Sequence, residues 1–166
     1  FPKVESDWVV ASATLPFGVS RTETDRVQRR MEAAYREVVD ELTGGKPAEL
    51  SRGLFTEING THKLTLTGVL VAMDQRNVST TEFTNRWREA VGPVSGVDSL
   101  AFDATAGGPR GGKAVDVQLS HRNIDTLERA AEDLARKLTA FSGVTDIDDG
   151  VAEGKPQLNF KVRPEA

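Results

Sequence analysis

The sequence predicts an α+β fold in two tandem parts, a split β-α-β-β-α-β unit followed by a β-α-β-β unit. Three observations carry that expectation. Stretches alternating apolar and polar residues recur along the chain, as at Val115, Val117 and Leu119 against Asp116 and Gln118, the period of two that marks half-buried strands. Between them lie stretches whose apolar residues recur at three and four, as at Val27, Met31, Ala34, Val38 and Leu42, which is one face of a helix. A run of glycines within Ala106 to Gly112 separates the two parts.

Taken in order, Trp8 to Leu15 reads as the first strand, closed by Pro16-Phe17-Gly18. Thr22 with Asp25 resembles a capping box. The long helix that follows keeps Arg26, Arg29, Arg30, Arg36 and Glu37 largely off its apolar face and ends at Gly44-Gly45. Leu50 to Ile58 is the second strand, Asn59-Gly60 signals a hairpin that Thr61-His62-Lys63 lengthens, and Leu64, Leu66, Val69 and Val71 make the third strand. Ser79 with Glu82 opens a second helix with Phe83, Trp87, Ala90 and Val91 on its inner face, stopped by Gly92-Pro93, and Val97 to Phe102 is the fourth strand. This order over residues 1–105 is the ferredoxin-like, split-βαβ arrangement. Residues 106–112 read as a linker. In 113–166, a strand from Lys113 to Leu119 precedes a helix bearing Leu127, Ala131, Leu134, Leu138 and Phe141. Extended chain from Val144 to Asp148 and a last strand with Leu158, Phe160 and Val162 follow it. Such a half unit is too small to bury a core alone and must pack on something.

Composition removes several classes of function. The chain has 166 residues, 38% hydrophobic and 28% charged, enough to bury a normal core. Its formal net charge of −4 argues against a protein that tracks nucleic-acid phosphates. The absence of cysteine excludes thiolate zinc sites, thiol catalysis and disulfides. The longest nearly uncharged run, Leu64 to Met73, is about ten residues, too short to cross a bilayer as a helix. The first residues lack the pattern of a signal peptide, so a soluble chain is expected, cut from something longer.

No motif gives enzymology a foothold. His62 and His121 stand far apart without a ligand at helical spacing. Asp146, Asp148 and Asp149 could hold magnesium or run acid–base chemistry, although such a cluster is more often a solvated turn. Lys113 after the glycines opens a strand rather than a helix, unlike a phosphate-binding loop. The third strand, Leu64-Thr65-Leu66-Thr67-Gly68-Val69, has no aromatic on which a base could stack, which excludes an RNA-recognition domain. No enzyme activity, cofactor or metal is expected.

Three segments together resemble a known family. They are Phe1-Pro2 with Leu15-Pro16-Phe17-Gly18 and Thr22; Phe83 to Gly92 with Gly96 to Phe102; and Leu127 to Leu138 with Gly143 to Ile147, Gly154 to Leu158 and Pro164-Glu165-Ala166. In that order the chain is similar to the second large periplasmic loop of resistance-nodulation-division (RND) efflux transporters, in the AcrB-like hydrophobe/amphiphile branch. The resemblance implies a porter fragment of a proton-driven multidrug or amphiphile exporter at the periplasmic face of a Gram-negative inner membrane. It implies a homotrimer working with a periplasmic adaptor protein and an outer-membrane channel, and lipophilic or amphiphilic small molecules as cargo. Carried over by position, one wall of the substrate cleft falls on Val10, Ser12, Leu100 and Phe102, the facing wall on Asp148 and Gly150, and the loop that separates two pockets on Asn59, Gly60, Thr61, His62 and Lys63. Strand parity puts Val10 with Ser12 and Leu100 with Phe102, but leaves open whether the second pair instead packs beneath the helices. The chain departs from the family in having no aromatic in the separating loop and in placing Asp148 where a basic group can stand. A stand-alone ferredoxin-like module, binding a small molecule or regulating a partner, is the competing expectation.

Overall fold

The computed structural model describes residues 5–105 and 115–151 of the protein. Strands β1 (Glu5–Thr14), β2 (Ser51–Asn59), β3 (Lys63–Leu70) and β4 (Ser99–Thr105) form one sheet in the order β2-β3-β1-β4, with every neighbouring pair antiparallel. Helices α1 (Arg21–Thr43) and α2 (Thr80–Val91) connect β1 to β2 and β3 to β4. The α+β, ferredoxin-like arrangement read from the sequence is the one observed.

Helices α1 and α2 each begin where a serine accepts from an orphan amide. Ser20, rather than Thr22, caps α1 by accepting from the Glu23 N–H, and Ser79 caps α2 by accepting from the Glu82 N–H, so both are Ser-x-x-Glu starts. Gly44 ends α1 in the left-handed conformation at φ 61, which costs glycine little. Val27, Met31, Ala34, Tyr35 and Val38 of α1 and Phe83, Trp87 and Val91 of α2 are buried against Val9, Ala11, Ala13, Leu64, Leu66 and Leu70 of the sheet. Ala90, expected on the inner face of α2, is exposed.

An aromatic group holds the helix layer together. The Tyr35 ring lies edge-on to Phe83 and Trp87 at centroid distances of 5.3 and 5.1 Å, and Trp87 lies edge-on to Phe102 at 5.5 Å, geometries that suit the ring quadrupoles. The Trp87 indole N–H donates to the Met31 carbonyl at 2.9 Å, which ties α2 to α1. Glu32 ties α1 to β2 by accepting from the Thr56 hydroxyl at 3.0 Å. Burial raises its carboxyl pKa, but hydrogen bonds from Gln28, Thr56 and Arg36 outweigh that and leave it lowered.

The second part differs from expectation. Helix α3 (Ile124–Leu138) forms as read, capped by Asn123, whose side chain accepts from the Thr126 N–H. The strand expected over Lys113 to Leu119 is not one in its described part: residues 115–119 are irregular, with Val115 and Val117 60% and 52% exposed. Alternation alone does not make a strand; a ladder partner is needed, and the expected partner around Leu158 to Val162 lies outside the described residues. Val144 to Asp148 is likewise not a strand, because Asp146 sits at φ 57, a left-handed conformation that interrupts a ladder. The linker at 106–112 also lies outside the described residues. Among those described, no helix is long and apolar enough to cross a membrane.

Candidate functional site

Because side chains alternate across a strand, the pairing register sorts the sheet residues onto two faces. On the helix-covered face, Ala11 stands beside Leu66 and Phe102, and Ala13 beside Leu64 and Leu100. On the other face, one row runs Phe55, Thr67, Val10, Asp103, and the next Glu57, Thr65, Ser12, Ala101; a third carries Gly53, Val69 and Trp8. Among the described residues, α1 and α2 both pack on the opposite face. Trp8 is 58% and Phe55 65% exposed, unusual for large apolar side chains so close together. Val10 and Val69 lie between them across strands about 4.8 Å apart, so Trp8, Val10, Val69 and Phe55 form one open apolar wall.

The four sheet residues expected to share a cleft wall therefore do not share a face. Val10 and Ser12 belong to the open wall. Phe102 is 7% exposed and packs against Trp87, and Leu100 packs at the margin of the same core. The physical reason is β4's register against β1: it pairs Phe102 with Ala11 and Leu100 with Ala13, and those small β1 residues leave room for large partners under α2.

The hairpin loop is short and tethered. Asn59 pairs with Lys63, leaving Gly60-Thr61-His62 as the turn, with Gly60 at φ 65. The Thr61 carbonyl accepts from the buried Thr24 hydroxyl at 2.6 Å, and the His62 carbonyl from the Leu15 N–H at 2.7 Å. The His62 ring lies 4.4 Å from that of Phe17. The loop is thus fixed to the β1–α1 junction at the rim of the sheet.

The acidic cluster separates into different tasks. Asp148 accepts from the Gly150 N–H at 2.9 Å and Asp149 from the Val151 N–H at 3.0 Å, which shapes the turn containing Asp148 and Gly150. Asp146 turns towards the first unit. Its Oδ2 accepts from Arg88 Nη2 at 2.8 Å and from the Phe102 N–H at 2.9 Å, and its Oδ1 accepts from Arg88 Nε at 3.2 Å. Asp148 follows two residues later, within about 7 Å of Asp146 along the chain, so the predicted facing-wall residues stand near the outer edge of β4. His121 is engaged locally with Asn123, and no group of three or more His, Cys, Asp or Glu among the described residues is placed to hold a metal ion.

Sequence reasoning missed Trp8 and Phe55 as partners. The signal was present in their alternation against Val9, Ala11 and Ala13 in one strand and against Leu54, Thr56 and Ile58 in the other, but only the register brings the two strands' outward residues together. A comparison with protein-family models found no match, and a comparison with curated proteins found none either.

Proposed function

We propose that this chain is the periplasmic porter part of a proton-driven RND efflux pump, and that the open sheet face guides lipophilic or amphiphilic molecules. The observation that carries the reading is the uncovered wall of Trp8, Val10, Val69 and Phe55 on a sheet whose other face is fully packed. Burying an apolar body there supplies the attraction; Thr65, Thr67 and Ser12 offer hydroxyls without fixing one partner geometry. The resemblance in segment order supplies the remainder: a homotrimer in a Gram-negative inner membrane, coupled to a periplasmic adaptor protein and an outer-membrane channel. Asp148 and Gly150 then flank the wall from the outer edge of β4, while Leu100 and Phe102 support that strand from beneath.

The two tryptophans provide the test. Trp8 is exposed and Trp87 is buried, so a lipophile such as N-phenyl-1-naphthylamine bound on the wall quenches Trp8 emission, and Trp8→Phe removes the response. Phe55→Ser weakens binding by about 3–30-fold, the share of a Phe side chain's burial that one wall contributes. In the intact transporter the same change lowers resistance to lipophilic compounds at unchanged expression. Quenching that persists in Trp8→Phe, together with unchanged efflux in Phe55→Ser, would sink the assignment.

A stand-alone ferredoxin-like module is favoured by one observation, the closed core that the sheet, α1 and α2 form together. It predicts that residues 5–105 bind the same lipophile unaided and that no transport phenotype follows from altering the wall.

A further inference from the structure

Arg88 is held in place by groups other than Asp146. Its Nη1 donates to Asn85 Oδ1 at 2.8 Å, its Nη2 to the Phe102 carbonyl at 3.3 Å, and its guanidinium lies 5.2 Å from the centre of the Phe102 ring. Beside it, the Phe102 N–H points outward from the edge strand β4. A guanidinium fork, braced from the core side by the buried Phe102 ring, and an edge amide converge on one place, and this is the donor set that recognises a carboxylate. Asp146 fills it with its own carboxylate, using both oxygens. To do so its backbone adopts φ 57, the only left-handed conformation of a non-glycine residue among those described, a conformation that L-residues adopt at a cost.

We propose that Arg88 and the Phe102 N–H form a receptor for carboxylate-bearing ligands, with Asp146 as a built-in competitor that such a ligand displaces. The receptor is preorganised because Arg88 keeps its contacts to Asn85 and Phe102 when Asp146 leaves. The competitor is displaceable because its segment returns to a relaxed backbone on release and because the pair is only partly sheltered, with the Arg88 and Asp146 side chains 26% and 19% exposed. Displacement also frees the segment carrying Asp148 and Gly150 from the β4 edge. The proposal rests on the exporter reading only in taking the ligand to be cargo; the receptor itself is a property of the isolated chain.

The test compares wild type, Asp146→Gly, Asp146→Asn and Arg88→Gln/Asp146→Gly by titration calorimetry, with circular dichroism confirming the fold of each. Glycine removes the carboxylate and suits the left-handed backbone; asparagine keeps the shape and tolerates the same backbone. The probes, below micelle-forming concentration, are decanoate and decyltrimethylammonium, with formate for the head group alone. Removing the competitor raises decanoate affinity by about tenfold, since the receptor is no longer mostly occupied by its own chain. Formate competes with decanoate, the cation gains nothing, and Arg88→Gln/Asp146→Gly loses the gain. Decanoate affinity equal in wild type and both Asp146 variants overturns the proposal, as does a gain that survives loss of Arg88. If the gain is found while efflux by the intact pump ignores the open wall, the receptor stands and the exporter reading falls.

Discussion

Gly68 occupies the one place in β3 where the Tyr35 ring crosses the sheet. A β-carbon added there would lie 2.4 Å from Tyr35 Cε2, 2.8 Å from its Oη and 2.8 Å from Val9 Cγ2. Relief to an ordinary contact of 3.4 Å requires the ring to retreat by about 1 Å. Behind it stand Phe83 and Trp87, and its hydroxyl is bonded to Ser51 Oγ at 2.8 Å, so no empty space receives it. Overpacking of this kind costs about 1–3 kcal/mol, and stretching the hydroxyl bond adds up to about 1 kcal/mol. The lost backbone freedom of the unfolded chain offsets about 0.4–1 kcal/mol. Gly68→Ala is therefore destabilised by about 1–3 kcal/mol, a fall in Tm of roughly 3–10 °C for a chain of this length. Thermal and urea unfolding followed by circular dichroism measures it, and a double-mutant cycle assigns the cause. In a Tyr35→Leu background, which lacks the clashing ring atoms and leaves only the contact with Val9 Cγ2, Gly68→Ala costs clearly less than in the wild type. A Tm within about 1 °C of wild type, or an equal loss in both backgrounds, refutes the reasoning.

Two further outcomes follow from the aromatic group. Trp87→Phe loses the indole bond to the Met31 carbonyl and part of the contact with Phe102, and unfolding in urea shows a loss of about 1–3 kcal/mol while the folded spectrum becomes that of Trp8 alone. Burial raises the Tyr35 pKa above its ordinary 10.0, with the Ser51 hydrogen bond lowering it in part; the unfolded chain thus releases this proton first as pH rises. The stability it contributes is full below about pH 10 and is lost as pH climbs through the raised folded value. Tyr35→Phe flattens the stability profile above pH 10, and an unchanged slope there counts against Tyr35 as its source.

Local pattern was enough for the elements of the first unit and for their order, because caps, glycines and periodicities are short-range signals. Ser79-x-x-Glu82 marked the start of α2 outright, whereas Thr22 with Asp25 was read as the start of α1 and the observed bond from the Glu23 N–H moves the cap to Ser20. Faces were a different matter. Parity correctly paired Val10 with Ser12 and Leu100 with Phe102, yet only the pairing of Ala11 with Phe102 across ninety-one positions of sequence decides which pair meets the helices. The need for Gly68 was equally hidden, since its partner ring lies on α1. In the second unit the alternation of Val115, Val117 and Leu119 was real, but a ladder depends on another segment, and Asp146 follows an ion pair with Arg88 in place of extended chain.

The pinned hairpin constrains how this scaffold can diversify. The Thr61 and His62 carbonyls at its tip are already committed, one to the Thr24 hydroxyl and one to the Leu15 amide, so inserting residues there breaks the shorter of the Thr24 hydroxyl's two contacts and the strand-end bond of Leu15 together. Descendants of this sequence are freer to remodel the open face by exchanging the outward side chains at positions 8, 10, 55 and 69, each of which projects from backbone that the ladder already holds. Inheritance would then record itself as substitutions written across a constant lattice, with the loop preserved in length.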